Sequence, residues 1–414
     1  FFPNYKGYFK DQRLERRGQE LWRRLSEQPC SSIRKLSISP AEQKAFYRFL
    51  NNERMEEVEL INEASFRMGQ LAKGRHLLCV QDTCEVNMGK HKRRLKTDSG
   101  LGRSDKFDSG HCFKLHPGLV LDAHTLSPLG FSHIKVFHRP EEMPKKDIRG
   151  YKQQPIEDKE SYKWIEVAQK SKEVLQGAET VTFIEDREGD IYEQFAIVPN
   201  ERHHLLIRSR TDRKSSNGSL YKEMDSQPVA GSYTIEIPTD NRKHQYKRQA
   251  HIELRFKACS LTCPKRLIKR GHPRSITVNC ISVKEIGNVI NPVQWKLLTT
   301  HTIDTYEQAL IIVQWYSARW YIEQLFRLLK KQGFGIEETE LESGWAIRKL
   351  VIMQMTALLK ILQMSIAYSQ PEGGQPIEEV FNEEQIEVLH IMNKKLQGET
   401  LKLQNNNDPK RTKW

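Results

Sequence analysis

Leu77-Leu78-Cys79-Val80-Gln81-Asp82 is a short apolar run that ends in an acid, and its reading decides the fold. Continuous apolar character is that of a strand covered on both faces, as happens inside an α/β sheet. Asp82 then stands at the mouth of the strand, a favoured place for chemistry. The arrangement occurs twice: Val181-Thr182-Phe183-Ile184-Glu185 is a second apolar strand that delivers Asp186, with Arg187-Glu188-Gly189-Asp190 and a helical stretch through Tyr192 and Phe195 behind it.

Around these runs the pattern reads as mixed α/β. Further strands are expected at 118–122, 129–137 and 204–210, and a helix at 161–175 carries Trp164, Val167, Ala168, Val174 and Leu175 as its apolar residues. Residues 232–300 switch to an alternating pattern, at 233–237, 251–256, 275–283 and 295–299, which predicts an antiparallel β insertion. Long helices are expected at 304–332 and 344–367, and residues 370–376, rich in Pro and Gly, form a linker before a last short helix. Residues 87–112, with Lys90, Lys92, Arg93, Arg94 and Lys96, and residues 138–154 read as charged loops.

Upstream, residues 1 to about 70 read as a basic helical module. The stretch 11–27 sets Leu14, Leu21, Trp22 and Leu25 on one stripe and Arg13, Arg16, Arg17, Arg23 and Arg24 elsewhere. Ser39-Pro40-Ala41-Glu42 is a capping box with proline at the first helical position, and a third helix is expected at about 55–69. The expected division is therefore a helical domain at 1–70, an α/β core at 71–343 with its β insertion at about 213–300, and a C-terminal helical region at 344–414.

Sixty-six Lys and Arg against 53 Asp and Glu give the 414 residues a formal charge of +13, with a pI near 9.3. That excess points to a polyanionic partner, nucleic acid first. A membrane surface is disfavoured: no apolar run is read as reaching the roughly 20 residues that a spanning helix needs, and mean hydropathy is -0.67. Seven cysteines, an odd number with no secretory signal before them, suggest a reducing, cytoplasmic setting. Cys259 and Cys263 lack the spacing and company of a structural zinc site.

In the stretch 316–332, Tyr316, Arg319, Glu323 and Lys330 follow one another at intervals of three, four and seven, which on one helix is a single face. Arg327 belongs to the same stripe. Taken alone, the stripe is better explained as a solvated ladder of ion pairs from Glu323 to Arg327 and Lys330. What changes the reading is that two distant strands end in Asp82 and Asp186, so three acids from separate segments can converge on one site. Phosphodiester cleavage and strand transfer use two hard cations roughly 3.5 to 4 Å apart. Mg²⁺, or Mn²⁺ in its place, takes oxygen ligands and keeps water, so Asp82, Asp186 and Glu323 suffice without His or Cys. Gathering them without metal predicts a raised carboxylate pKa.

The signature Tyr316-Ser-Ala-Arg319-Trp-Tyr-Ile-Glu323-Gln-Leu-Phe-Arg327-Leu-Leu-Lys330, together with Gln81-Asp82-Thr83 and Glu185-Asp186-Arg187-Glu188-Gly189-Asp190, resembles the bacterial insertion-sequence transposases of the DDE class, in the insertion-sequence-four branch marked by Tyr-x2-Arg-x3-Glu-x6-Lys. The likeness covers nearly the whole chain. It implies a ribonuclease-H-like core, catalysis and binding of two Mg²⁺ ions by Asp82, Asp186 and Glu323, and cut-and-paste chemistry on double-stranded DNA. The partners implied are the terminal inverted repeats, the target DNA and a second protomer. By the same resemblance Tyr316, Arg319 and Lys330, with Arg327 nearby, hold the terminal phosphate of the cleaved end. Trp295 stacks on a flipped base, Arg208 is a basic DNA contact, and Arg13 and Arg17 grip the end sequence. From the residues alone, Trp295 reads equally as an interior tryptophan, Arg208 as an exposed strand charge, and Arg13 and Arg17 as a solvated helix face. Relatives continue past the segment resembling 407–414 with a helix used for pairing. Two rival readings stand beside this one: an end-binding repressor without catalysis, and a metal-dependent nuclease that never joins strands.

Overall fold

The computed structural model describes residues 2–396 except 97–99, 105–110, 141–149, 151–152, 217, 238–245, 288, 332, 370–376 and 382. The linker expected at 370–376, the segment 407–414 and parts of the two charged loops lie outside the described residues. Both apolar runs are strands. β1 (His76–Gln81) is followed by β2 (Cys84–Asn87), β3 (Cys112–Asp122), β4 (Pro128–Phe137), β5 (Thr180–Glu185) and β6 (His203–Arg208). β1 lies parallel to β5 and β5 parallel to β6, while β3 runs antiparallel to both β1 and β4. The order β4-β3-β1-β5-β6 is that of a ribonuclease-H-like sheet.

The β insertion continues this sheet. After the two-residue β7 (Lys214–Ser215) and β8 (Gly218–Ser219) come β9 (Gly231–Ile237), β10 (Arg248–Thr262), β11 (Ser275–Glu285) and β12 (Gln294–Thr299). β12 pairs antiparallel with β6, β11 with β12, β10 with β11 and β9 with β10. Its strands inherit the alternation read from the sequence: Ala250, Ile252 and Leu254 are buried between exposed or half-buried neighbours.

Strand parity explains the two layers. On β1, Leu78 and Val80 join one core cluster and Leu77 and Cys79 the other; on β5, Ile184 goes with the first and Val181 and Phe183 with the second. Successive strand residues point to opposite faces, so a strand buried on both sides must be apolar at nearly every position, as these are. The second cluster lies under α5 (Tyr162–Val174), α6 (Tyr192–Ile197), α7 (Leu220–Asp225) and the single turn α8 (Lys265–Ile268).

The first cluster unites the N-terminal helices with the later ones. Its contributors are α1 (Gln12–Glu27), α2 (Ile33–Leu36), α3 (Pro40–Leu50), α4 (Glu57–Leu71), α9 (Tyr306–Ser317), α10 (Trp320–Lys330) and α11 (Gly344–Ser369). Asp11 caps α1 through Arg13 N–H, and Ser39 Oγ accepts from Glu42 N–H ahead of Pro40. Trp22 of α1 donates its indole N–H to Thr356 Oγ1 of α11 at 3.0 Å. α12 (Glu383–Leu396) follows.

Two expectations need correcting. The helix expected over 304–332 is broken: α9 stops at Ser317, Ala318 and Arg319 form a turn, and α10 starts at Trp320. The amides of Arg319, Tyr321 and Ile322 each bond the carbonyl three residues back, the tight pattern of a 3₁₀ turn. Second, α11 is an apolar run of membrane-spanning length, which the sequence reading denied. Gly344–Ile366 is long and apolar enough to cross a bilayer, yet 72% of its most apolar window is buried in the fold. Leu350, Val351, Ile352, Met353, Met355 and Leu358 show why, each enclosed by neighbouring elements.

Candidate active site

The same parity that builds the core delivers the acids. Leu78 and Val80 face α9, α10 and α11, so Asp82, two further on, emerges on that side; Asp186 follows Ile184 by the same rule. Val80 is level with Ile184 across the parallel pair, which sets the two acids side by side at the C-terminal ends of adjacent strands. Glu323 comes from the first turn of α10.

Asp82 feels the other two. Asp82 is pushed up to about 6, chiefly by burial; the Thr83 amide and Arg319 oppose this, and the charges of Asp186 and Glu323 add to it. The expected rise is therefore present at Asp82, with desolvation ahead of like-charge repulsion. Thr83 N–H donates to Asp82 Oδ1 at 2.7 Å, and Arg319 Nη1 donates to Asp82 Oδ2 at 3.2 Å. The other Arg319 nitrogen donates to Glu323 Oε1. One guanidinium thus bridges two of the acids. Among the described residues no three His, Cys, Asp or Glu side chains are grouped so as to hold a metal ion, and the Arg319 guanidinium occupies the space between Asp82 and Glu323. The three acids nonetheless offer the donors a hard cation takes: each candidate donor is a carboxylate oxygen, and Asp186 Oδ1 is buried with no hydrogen-bond partner.

The helix break places Tyr316 and Arg319 differently from a continuous helical face. Tyr316 lies in the last turn of α9, only 4% exposed, with a buried hydroxyl that has no hydrogen-bond partner. Burial, followed by the influence of Arg319, Asp186 and Arg208, leaves this phenol at about 12. The Trp295 ring meets it edge to face with centroids 5.2 Å apart, and the Arg319 Cζ lies 6.0 Å from the tyrosine ring centre. Trp295 is half-buried near the start of β12. Arg208 ends β6 and donates to the Gln294 carbonyl at 3.3 Å. Asp82, Asp186, Glu323, Tyr316, Arg319, Trp295 and Arg208 therefore form one neighbourhood.

The remaining candidates stand further out. Lys330 pairs with Glu337 at 3.0 Å and lies close to Cys84 and Glu85 of β2. Arg327 is exposed and covers the Trp320 ring at 5.2 Å. The ladder from Glu323 to Arg327 and Lys330 is thus absent, since Glu323 pairs with Arg319 instead. Arg13 is exposed on α1, and Arg17 sits 5.7 Å over the Phe46 ring. Neither has a hydrogen bond or ion pair with the acid cluster among the described residues.

Behind the acids lies a layer the sequence reading passed over. Gln81 and Glu185 have the opposite parity to their neighbouring acids and point into the second core. His116 bridges Gln81 Oε1 at 3.0 Å and Thr83 Oγ1 at 2.8 Å, its ring edge-on to Trp164. Glu185 is fully buried, accepts from Gln194 Nε2, and is driven well above the usual carboxylate range by burial. The turn after Asp186 is fitted to it: a Cβ on Gly189 would stand 2.1 Å from Glu185 Oε2. Asp190, buried, accepts from Arg213 and from the Arg210 amide at 2.7 Å. A polar residue directly before each strand-ending acid was the available signal.

Comparison with protein-family models gives two matches. Residues 7–55 match the model described as "Transposase DNA-binding", and residues 148–360 match "Transposase DDE domain". The first spans α1 to α3; the second begins before α5, ends within α11 and contains Asp186, Arg208, Trp295, Tyr316, Arg319, Glu323, Arg327 and Lys330.

Proposed function

The chain belongs to the DDE transposase family, a DNA-acting family whose domains depend on divalent metal, and we propose that it performs cut-and-paste transposition with Asp82, Asp186 and Glu323 as the catalytic carboxylates. In this reading it falls in the insertion-sequence-four branch and is akin to the cut-and-paste transposase of the kanamycin-resistance composite transposon. The observation that carries the proposal is the convergence of three distant acids: adjacent parallel strands bring Asp82 and Asp186 out at one level, and both Asp186 and Glu323 act on the Asp82 carboxyl.

The three carboxylates would hold two Mg²⁺ ions, which when bound supply activation of the attacking oxygen and stabilisation of the leaving oxygen. The chain's own groups do the rest. Thr83 N–H fixes the Asp82 carboxylate from behind. Tyr316, protonated throughout the neutral range, offers an unpaired O–H to a phosphate oxygen of the cleaved end. Arg319 spans two acids in the free protein and presents a planar fork suited to phosphate. Trp295, edge-on to Tyr316, offers a ring face to a base turned out of the stack as the freed 3′-hydroxyl forms a hairpin, before reopening and strand transfer into target DNA. Lys330 and Arg327 extend positive charge along α10, and Arg208 closes the β6 side.

The expected organisation is an end-binding domain at 1–70 that uses Arg13 and Arg17 on terminal inverted repeats, the catalytic core at 71–343, and a region at 344–414 that contributes to a homodimeric synaptic complex. The setting is the bacterial cytoplasm, at the nucleoid. The test is Mg²⁺-dependent cleavage of a labelled duplex carrying the terminal repeat and its flank, comparing the chain with Asp186→Ala. Metal-dependent cutting that vanishes in the variant supports the proposal; tight end binding without any nick in the wild type overturns it in favour of a silent end-binding repressor.

A further inference from the structure

The connection between β10 and β11 is a one-sided stretch of charge. Residues 264–274 hold Lys265, Arg266, Lys269, Arg270 and Arg274, with His272, and no Asp or Glu. All five Lys and Arg side chains are exposed. Lys265, Lys269 and Arg274 have no ion pair or hydrogen-bonded side chain among the described residues. Arg270 donates to the Gln154 carbonyl at 2.8 Å. Lys159 lies beneath, 7% exposed, its ammonium held below its usual range by burial and then by the charges of Arg266 and Arg270, with Glu193 and Glu157 opposing.

The segment is a built scaffold. Leu267 and Cys263 are anchored in the second core cluster. Cys263 N–H bonds the Arg274 carbonyl at 2.9 Å, closing the loop at its base, and the Tyr192 hydroxyl donates to the Pro273 carbonyl at 2.8 Å. Gly271, at φ +84, takes the left-handed position that lets the His272 N–H turn back to the Leu267 carbonyl at 3.2 Å. Five cations are thereby fixed on one rigid turn at a cost in mutual repulsion, which is the electrostatic footprint of a polyanion site.

Its position separates it from the acids. Following the registers, Glu185 is level with Ile207, Leu298, Cys280 and Lys257 in turn. β10 runs opposite to β5, so its far end, Thr262, lies at the pole away from Asp82 and Asp186. Five residues along and four strands across, at about 3.3 Å and 4.8 Å each, give a separation of roughly 25 Å, the length of about seven base pairs. The turn is also anchored through Cys263 and Leu267 in the second core cluster, whereas Asp82 and Asp186 share the parity of Leu78, Val80 and Ile184 in the first, so the two lie on different faces of the sheet as well as at different poles.

We propose that the turn 263–274 is a second DNA-binding surface, taking the phosphate backbone of a duplex segment other than the one at the acids. It rests on the DNA-processing reading above. The two sources of such a segment are a separate duplex and the same DNA continuing around the protein.

The test neutralises Lys265→Gln, Lys269→Gln and Arg274→Gln together, all exposed and none in the catalytic neighbourhood. An unchanged Tm first shows the variant folded; a fall of several degrees would make the charges structural and overturn the proposal. Binding of a non-specific duplex of 30 base pairs is then measured against salt. Loss of three phosphate contacts is expected to reduce the slope of log K against log salt by about 2.7, and affinity at 0.15 M salt by roughly a hundredfold. An unchanged slope and affinity overturn the proposal. These binding arms hold even where the chain cuts nothing, so failure of the transposase reading shows separately, as absence of cleavage. In a chain that cuts, normal cleavage of a short end duplex with reduced joining to a separate duplex identifies the separate source. Reduced affinity for long flanked ends, with joining unaffected, identifies the continuing one.

Discussion

Replacing Tyr316 by Phe is expected to move stability and chemistry in opposite directions. The hydroxyl is buried with no hydrogen-bond partner in the DNA-free protein, and an unsatisfied buried polar group costs about 1 to 3 kcal/mol. Removing it while keeping the ring, which retains its edge contact with Trp295, recovers part of that cost. A gain of about 1 kcal/mol corresponds to a Tm higher by roughly 2 °C in a chain of this size. On the proposed pathway the hydroxyl finds its partner only when a cleaved end is held, through a hydrogen bond to a charged phosphate worth about 1.5 to 3 kcal/mol. Its loss is then expected to slow hairpin formation by roughly 10- to 150-fold while first-strand nicking stays within about twofold. Differential scanning fluorimetry gives the first quantity, and single-turnover cleavage of an end-labelled duplex, with nicked and hairpin products resolved on a denaturing gel, gives the second. A lower Tm, or hairpins formed at the wild-type rate, would refute the argument.

Three further outcomes follow from the same geometry. Trp295→Ala is expected to reduce hairpins by about 5- to 150-fold, the loss of roughly 1 to 3 kcal/mol of stacking on one base, and equal slowing of nicking would place Trp295 in the core instead. Gly189→Ala pushes a methyl into Glu185 and so displaces the turn that carries Asp186; cleavage is expected to fall by an order of magnitude or more with end binding retained, and normal cleavage would show the turn to be adaptable. His76, His204 and His301 cluster around Thr182 at the other end of the sheet, and burial lowers His76 to about 4, His301 to about 3, and His204 in the same direction, from an ordinary 6.5. The unfolded chain binds these protons more readily, so their contribution is intact above about pH 6.5 and is lost as pH falls toward 4. The urea midpoint should drop between pH 7 and pH 5 and drop less in His301→Gln; parallel curves for the two proteins would count against it.

The acids at strand ends were legible because a strand buried on both faces must be apolar at almost every position, which makes a terminal Asp stand out in Leu77 to Asp82 and Val181 to Asp186. The antiparallel block was equally plain from alternation. Less legible was the break at Ala318 and Arg319: neither residue is a helix breaker, so local propensity gave no warning, and the two helices it separates pack on different partners, α9 against β10 and α10 against α11. α11 was misjudged for a related reason. Lys349 and Arg348 near its start hide its apolar length in sequence, yet in the fold they reach the Asn52 carbonyl and Glu57 and leave the rest of the helix for the core. The supporting contacts of His116, Gln194 and Arg213 were invisible because they join residues 35, 9 and 23 positions apart, by pairings that no periodicity records.

The indole of Trp22 and the hydroxyl of Thr356 are 334 residues apart in the chain. At ribosomal speeds of about 5 to 20 residues per second, the first helix is made tens of seconds before the helix that covers its apolar stripe. During that interval Leu21, Trp22 and Leu25 have Phe2 and the helices α2 to α4 of the same cluster for shelter but not α11, and a chain ending before residue 356 never acquires the missing wall. The small helical module at the N-terminus is therefore a poor candidate for production by itself unless that stripe is redesigned for water.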